Sequence, residues 1–300
     1  MVSPLVESRT KRSTCAGRRL VIKSPAKINL YLNLLGRYPV PTPSGIQSYH
    51  EIESIVERIS LCDRIVIAVR ADRRITFVSD CSDLPARKNT CVQAARLMQK
   101  EYGISAGFDI CLKKNIPVGA GLGGGSSNAA SVILGICSLL GLQLSRDRLF
   151  LLGEQIGSDV NFFLAQTPFA VMRGRGEKIS PFQGHRFLHT VVWPGVYCST
   201  KKVYARVTRK LTKIFDNVKI LRYAIKNGDV QLSQRTAFNA LEQPALEAYP
   251  GLRRAKCCLH GIDRYVRISG SGSALYTMGA KRISSSFRLH NFAVYRVHTF

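Results

Sequence analysis

Pro117-Val-Gly-Ala-Gly-Leu-Gly-Gly-Gly-Ser-Ser-Asn-Ala-Ala130 is the stretch that decides how this chain is read. Five of the seven residues from Gly119 to Gly125 are glycine. No side chain there blocks the backbone, so its N–H groups are free to converge on an anion. Ser126, Ser127 and Asn128 follow, and with them a helix begins. A helix N-terminus adds about half a positive charge directed at the loop. The stretch therefore reads as a phosphate cradle built from main chain. A Walker loop would end in Gly-Lys-Ser/Thr, and Gly-Ser-Ser stands here instead. Gly119-Ala-Gly121-Leu-Gly-Gly124 does fit the dinucleotide Gly-x-Gly-x-x-Gly pattern. A dinucleotide loop, however, closes the first strand of its domain, whereas ordered sequence from residue 20 onward precedes this one.

Working outward, Ser131–Leu140 is an apolar helical run that stops at Gly141, and Ser145 is an N-cap candidate for a helix running towards Gln155. Upstream, Cys91–Tyr102 has helical spacing through Val92, Ala95 and Met98. Leu20–Lys23 and Ile28–Leu35 read as two strands or one bent strand, with Lys27 near the bend. Arg64–Val69 and Phe108–Leu112 read as strands. Tyr38–Ser48, with Pro39, Pro41, Pro43 and Gly45, is expected to be a loop. Downstream, Lys201–Lys226 is expected to be a basic helical stretch, and Ile268–Gly272 a second Gly/Ser loop ahead of Ala274–Met278. Alternating strands and helices imply an α/β or α+β class. A boundary is expected near residue 182, giving a basic tail or leader over 1–19 and domains over 20–182 and 183–300.

The chain has 300 residues and is 45% apolar, which is enough for a substantial core. Forty-four Lys and Arg face nineteen Asp and Glu, a net charge of +25 that favours polyanionic ligands. No run approaches the roughly 18 apolar residues of a membrane helix, so no membrane partner is expected. The nine cysteines include no Cys-x-x-Cys and are expected to be reduced thiols of a cytoplasmic protein. Residues 1–19 carry five Arg or Lys and one acid. They read as a floppy basic tail; taken instead as part of an organelle transit peptide they would imply a plastid.

Three blocks now carry a resemblance. Pro117–Ala130 is similar to the phosphate-binding motif of the GHMP kinase superfamily. Ser24-Pro-Ala-Lys-Ile-Asn-Leu30 resembles its first motif, and Ile268-Ser-Gly-Ser-Gly-Ser-Ala274 its third. Gly36-Arg37, Tyr49-His50-Glu51, Asp63 and Gly157-Ser-Asp-Val-Asn-Phe-Phe163 resemble one branch within it. That branch phosphorylates a hydroxyl of a cytidyl diphosphate ester in the non-mevalonate isoprenoid pathway. Asn161 stands where the branch usually has Pro. The resemblance implies an α+β, two-domain GHMP kinase fold: an N-terminal domain like ribosomal protein S5 domain 2, a ferredoxin-like C-terminal domain, and the active site between them.

It also implies roles. Asp159 matches the catalytic base, because the chemistry asks for a carboxylate in reach of the attacking hydroxyl. Read without the motif, Asp159 would be a helix-capping residue. Lys27 matches the catalytic lysine, which stabilises charge on the transferring phosphoryl group. Pro117, Gly119, Gly121, Gly123, Gly124, Gly125, Ser126, Ser127 and Asn128 would hold the ATP phosphates, with Asn89 and Lys114 on the adenosine side. Mg²⁺ is expected with ATP, mostly on phosphate oxygens, and Ser127 is the only side chain offered as a protein ligand. Asn29, Tyr49, His50, Thr200, Tyr204, Gly270 and Gly272 are the expected acceptor-side residues, the aromatics stacking on cytosine. Two other readings remain at this stage. One is a GHMP-type kinase for homoserine, mevalonate or a sugar. The other is a nucleic-acid-binding protein using residues 201–226 and the tail; with no RNP motif or zinc knuckle, nucleic acid is expected only as a non-specific partner.

Overall fold

The computed structural model describes residues 17–42, 45–82, 84–85, 89–207, 217–279 and 292–300. Two long antiparallel strands, β1 (Arg19–Thr42) and β2 (Gly45–Arg70), form the spine of the larger sheet. Alternation sets the inner face: Ile65, Ile67 and Val69 are buried, while Val66 and Ala68 are only partly covered. β2 serves two neighbours. Its Arg64–Arg70 end pairs with β4 (Gly107–Lys113), and its Ile52–Glu57 end pairs with β5 (Phe169–Gly174). β3 (Ile75–Ser79) lies parallel beyond β4, β6 (Lys178–Phe182) antiparallel beyond β5, and the short β8 (Phe238–Asn239) parallel to β1. The register of β1 shifts between Pro25 and Ala26 and again between Asn29 and Tyr31. Such irregularities re-aim side chains, and these two bracket Lys27.

Helices α1 (Thr90–Glu101), α2 (Gly124–Leu140), α3 (Arg146–Ile156) and α4 (Val160–Leu164) pack on this sheet. One apolar cluster joins Ile65, Ile67, Phe108 and Ile110 to Met98, Ile133, Ile136 and Phe162. Each such side chain contributes roughly 1.5–3 kcal/mol on burial. α2 is apolar on nearly every side and sits inside this cluster, as a helix without a polar face must. It ends at Gly141, whose φ of 69° is left-handed and whose N–H reaches back to Ser138. Ser145 caps α3 as expected, accepting from the Arg148 N–H at 3.3 Å.

The smaller sheet runs β11 (Ala293–His298), β7 (Leu188–Trp193), β10 (Leu275–Met278), β9 (Arg267–Ile268), all antiparallel. Around it lie α5 (Thr200–Tyr204), α6 (Asn217–Asn227), α7 (Val230–Thr236), α8 (Glu242–Ala248) and α9 (Pro250–His260). A second apolar cluster closes the seam between the sheets, with Ile28, Leu30, Ile55 and Ile59 against Val191, Tyr276, Met278 and Val297. The Tyr276 hydroxyl crosses it to the Asn29 carbonyl at 2.9 Å. Among the described residues, no helix is long and apolar enough to cross a membrane.

Leu20–Lys23 and Ile28–Leu35 belong to one continuous strand, as the second of the two readings had it. Two expectations are corrected. Tyr38–Ser48 is strand and not loop over its described residues: Tyr38 pairs with Tyr49 and Pro39 with Ser48, down to Thr42 with Gly45, and 43–44 lie outside the described residues. Prolines fit because, among the described residues, Tyr38–Thr42 and Gly45–Ser48 pair only with each other, so the missing N–H groups break no second ladder there. Lys201–Lys226 is not one helix; α5 and α6 occupy its ends, and 208–216 lie outside the described residues. Residues 1–16, which hold most of the basic tail and Cys15, also lie outside them.

Candidate active site

Lys27 sits on β1 with its backbone N–H bonded to the Leu122 carbonyl at 2.9 Å, so the strand and the glycine loop are tied together. Its side chain is buried, and Nζ donates to Asn29 Oδ1 at 2.5 Å. The two side chains share a strand face because they are two residues apart. Asn29 in turn donates from Nδ2 to Ser54 Oγ at 3.0 Å. Its amide is thus engaged at both ends by the protein, which makes it an orienter of Lys27 more than a substrate contact. Lys27 Nζ lies 3.4 Å from Asp159 Oδ2. Asp159 precedes α4 with a helical backbone and makes no side-chain capping bond. The capping reading therefore fails, and the carboxylate is left facing the lysine and a large cavity.

That cavity has a volume of about 860 Å³. Lys27, Asn29 and Asp159 line it. Pro117, Gly119, Gly121, Gly123, Gly124, Gly125, Ser126, Asn128, Asn89 and Lys114 line it too, as do Tyr49, His50, Thr200, Tyr204 and Gly270. The elements that hold these residues are distant in sequence. Gly123, at a φ of 69°, turns the chain into α2 so tightly that a Cβ there would sit 2.9 Å from Lys27 Cγ. Only glycine meets both conditions at this corner. Ser269 Oγ donates to the Gly121 carbonyl at 3.0 Å and links the two glycine loops. Asn239 on β8 pins the second loop by donating to the Ile268 and Gly270 carbonyls, each at 2.8 Å.

Two expected residues are not brought to the cavity. Ser127 is fully buried behind the loop, 2.8 Å from Ser24 Oγ. Consecutive helical residues point about 100° apart, so Ser126 and Ser127 cannot face the same space. Ser127 is therefore not placed to hold a metal ion in the cavity. Gly272 packs beneath Leu252 and Ile268 instead of reaching the opening. Asn89 lines the cavity, but its Oδ1 also caps α1, accepting from the Cys91 N–H at 2.9 Å. Asn161 is buried, with Nδ2 donating to the Glu177 carbonyl at 3.2 Å, and so fastens α4 to the turn before β6.

At the far end, the His50 and Tyr204 rings stand 5.0 Å apart, tilted by 46°. His50 Nε2 accepts from Arg37 Nε at 2.8 Å. Burial, and secondarily the Arg37 charge, hold the imidazole below its usual pKa, so it is neutral at neutral pH. Burial pushes the Tyr204 phenol up, with the Asp159 charge adding to the effect. Thr200 Oγ1 lies 2.9 Å from Ser271 Oγ and ties α5 to the second loop.

Sequence reasoning gave no role to several residues here. Arg175 lines the cavity with its guanidinium 5.2 Å from the Tyr49 ring centroid, and Lys201 lines it nearby. Thr90 Oγ1 anchors the glycine loop through the Gly125 carbonyl at 2.8 Å. Ser24 had a signal, since it opens the first motif; Arg175 had none. Among the described residues, four cations line the cavity (Lys27, Lys114, Arg175 and Lys201) against the single carboxylate of Asp159. That balance suits two polyphosphate-bearing ligands.

Comparison with known proteins agrees with this geometry. Residues 89–167 match the model of the GHMP kinases N terminal domain. Over 256 residues the chain is 37% identical to a 4-diphosphocytidyl-2-C-methyl-D-erythritol kinase of Syntrophotalea carbinolica, covering 84% of this chain and 87% of the relative. Over 258 residues it is 34% identical to the same kinase of Ralstonia nicotianae, covering 84% and 83%. The chain belongs to the 4-diphosphocytidyl-2-C-methyl-D-erythritol kinase family. A crystal structure of 4-(cytidine 5'-diphospho)-2C-methyl-D-erythritol kinase superposes with a TM-score of 0.74 at 29% identity, covering 94% of this chain and 100% of that one. A homoserine kinase from Cytophaga hutchinsonii shares the fold alone, at a TM-score of 0.68 and 16% identity over 94% of each chain. The resemblance drawn from the three sequence motifs holds, and so does the α+β GHMP kinase fold it implied. Within the 4-diphosphocytidyl-2-C-methyl-D-erythritol kinase family, the GHMP model match begins at the cap of α1 and runs past α4, so it spans both the glycine loop and Asp159.

Proposed function

We propose that this chain, in the cytoplasm, transfers the γ-phosphoryl group of ATP to the 2-hydroxyl of 4-diphosphocytidyl-2-C-methyl-D-erythritol, a step towards isoprenoid precursors by the non-mevalonate route. One observation carries the reading. The Lys27–Asp159 pair stands in a single cavity between a glycine-lined helix start and an aromatic end. The main-chain amides at the start of α2 bind the donor's phosphates, with Lys114 and Asn89 beside them. His50, Tyr204 and Tyr49 hold the cytosine of the acceptor, and Arg175 and Lys201 supply cations for its diphosphate. Asp159 accepts the proton of the acceptor hydroxyl as that oxygen bonds to phosphorus. Lys27, fixed by Asn29, offsets the negative charge that develops on the transferred group. Residues 20–182 supply the glycine loop and both catalytic groups, and 183–300 supply Tyr204 and the second loop. We take these as the two domains.

Mg²⁺ would neutralise charge on the donor phosphates when bound. Among the described residues Asp159 is the only carboxylate on the cavity wall, which Ser126 also lines. Among the described residues no cluster of three or more His, Cys, Asp or Glu is placed to hold a metal. These residues fit an ion held mainly by phosphate oxygens.

The test is ADP release that depends on the cytidyl acceptor. Asp159→Asn should lower kcat by about 10²- to 10⁴-fold. Full activity in that variant removes the base assignment, and faster turnover of homoserine or mevalonate overturns the acceptor.

A further inference from the structure

Asp63 is fully buried on β2, and no step of the reaction uses it. Three donors from three consecutive residues converge on its carboxylate. Oδ1 accepts from the Asn115 and Ile116 backbone N–H groups, each at 2.8 Å. Oδ2 accepts from Lys114 Nζ at 2.5 Å. The same corner is held by Asn115 Nδ2 donating to the Cys62 carbonyl and by the Lys114 N–H donating to Asp80 Oδ1. The next residue, Pro117, opens the glycine loop. Lys114 is nine-tenths buried and lines the cavity, and its ammonium lies 3.2 Å from where a Cβ on Gly124 would stand. It is therefore aimed at the first turn of α2.

A lysine side chain has four flexible carbons and carries its charge wherever they point. Here one carboxylate fixes both the tip of the side chain and the main chain it grows from. We propose that Asp63 is a positioning residue for the donor nucleotide. It presets Lys114 against the start of α2 and locks the corner from which the loop departs. The donor's phosphates then meet an ammonium already in place, so less side-chain freedom is lost on binding. The inference rests on the reading of this end of the cavity as the donor site.

Asp63→Asn separates the two duties. An amide oxygen still accepts from the Asn115 and Ile116 N–H groups, but its NH₂ faces Lys114, and two donors cannot bond. The lysine is released while the corner stays. KM for ATP should rise about tenfold, with kcat and the acceptor KM each moving less than about threefold. Lys114→Met should give a similar rise. The double variant should be no worse than either single one, because both remove the same interaction. Single effects that multiply to about a hundredfold overturn the proposal, as does an acceptor KM that rises as much as that for ATP. Should Asp63→Asn fail to fold, fluorescent-nucleotide binding to Lys114→Met decides: unchanged affinity overturns the role of Asp63. A wild-type chain that binds no ATP at all overturns the reading of the cavity itself.

Discussion

Gly123 and Gly141 bound the same helix, α2, and share the same φ of 69°. Their surroundings differ. A Cβ on Gly123 would lie 2.9 Å from Lys27 Cγ and 3.2 Å from the Phe163 ring, whereas a Cβ on Gly141 would meet nothing within 4 Å. Replacing either with alanine places an L-residue in the left-handed region, at a cost of about 1–2 kcal/mol. Both variants should therefore melt a few degrees lower, Gly123→Ala by at least as much as Gly141→Ala because it also crowds Lys27 and Phe163. Only Gly123→Ala disturbs the Lys27–Asp159 pair. To reach an ordinary contact of 3.4 Å, Lys27 Cγ must retreat by 0.5 Å, which is 3.4 less 2.9. Its ammonium is already 3.4 Å from Asp159, so the shift acts directly on the alignment of base and lysine. A misplacement near 1 Å costs about a hundredfold, so kcat should fall by about ten- to a hundredfold. Steady-state ADP release with saturating acceptor, together with thermal melts of both variants, tests this. If Gly123→Ala kept more than half the wild-type kcat, or Gly141→Ala lost as much activity as Gly123→Ala, the argument that Lys27 is set by that corner would be refuted.

Three further outcomes follow from the same geometry. Tyr49→Ala should raise the acceptor KM by about 5- to 100-fold through lost stacking and leave the ATP KM in place; an equal rise in both would place Tyr49 outside the acceptor pocket. His50 is held below the ordinary histidine pKa and accepts from Arg37 only when neutral. Lowering the pH charges the ring and breaks that bond, so the acceptor KM should stay level down to the ordinary histidine range of about 6.5 and climb only below it, a climb that His50→Gln should abolish. Cys91 and Cys198 are buried thiols pushed up to about 12 and about 11. At about pH 8 iodoacetamide should label the exposed Cys111, Cys257 and Cys258 at least about tenfold faster, and uniform labelling counts against the fold described.

The parts of this fold that sequence reveals are those whose physics is local. The glycine loop could be read because backbone freedom and a following helix start are properties of adjacent residues. The same holds for Ser145 as a cap and Gly141 as a stop. Tyr38–Ser48 was misleading for the opposite reason. Proline and glycine density signals a break, yet the ladder there is decided by pairing across the hairpin. Ser127 lies between these cases. A helical wheel places it one step round from Ser126, on the side that carries Ser131 and Leu134, so its burial could have been read from the pattern that defined the helix.

Asp63 marks where sequence reading ends. The branch resemblance includes it but gives it no role; it lies within β2, and its partners are 51, 52 and 53 positions away. A buried carboxylate is tolerated only when its lone pairs are filled, and here the filling is done by the residues that launch the phosphate loop. The same logic joins Lys27 to Asp159 across 132 positions, the difference between 159 and 27. In both cases β1 or β2 contributes one charge, and the loops around α2 and α4 contribute the other. Sliding the register of either strand by one residue would turn Lys27 or Asp63 to the opposite face of the sheet. The hydrophobic alternation of Ile65, Ile67 and Val69 that fixes the register of β2 therefore also decides which face Asp63 occupies. An Ile67→Asp change, aimed at the core and far from both ligands, should abolish activity together with folding.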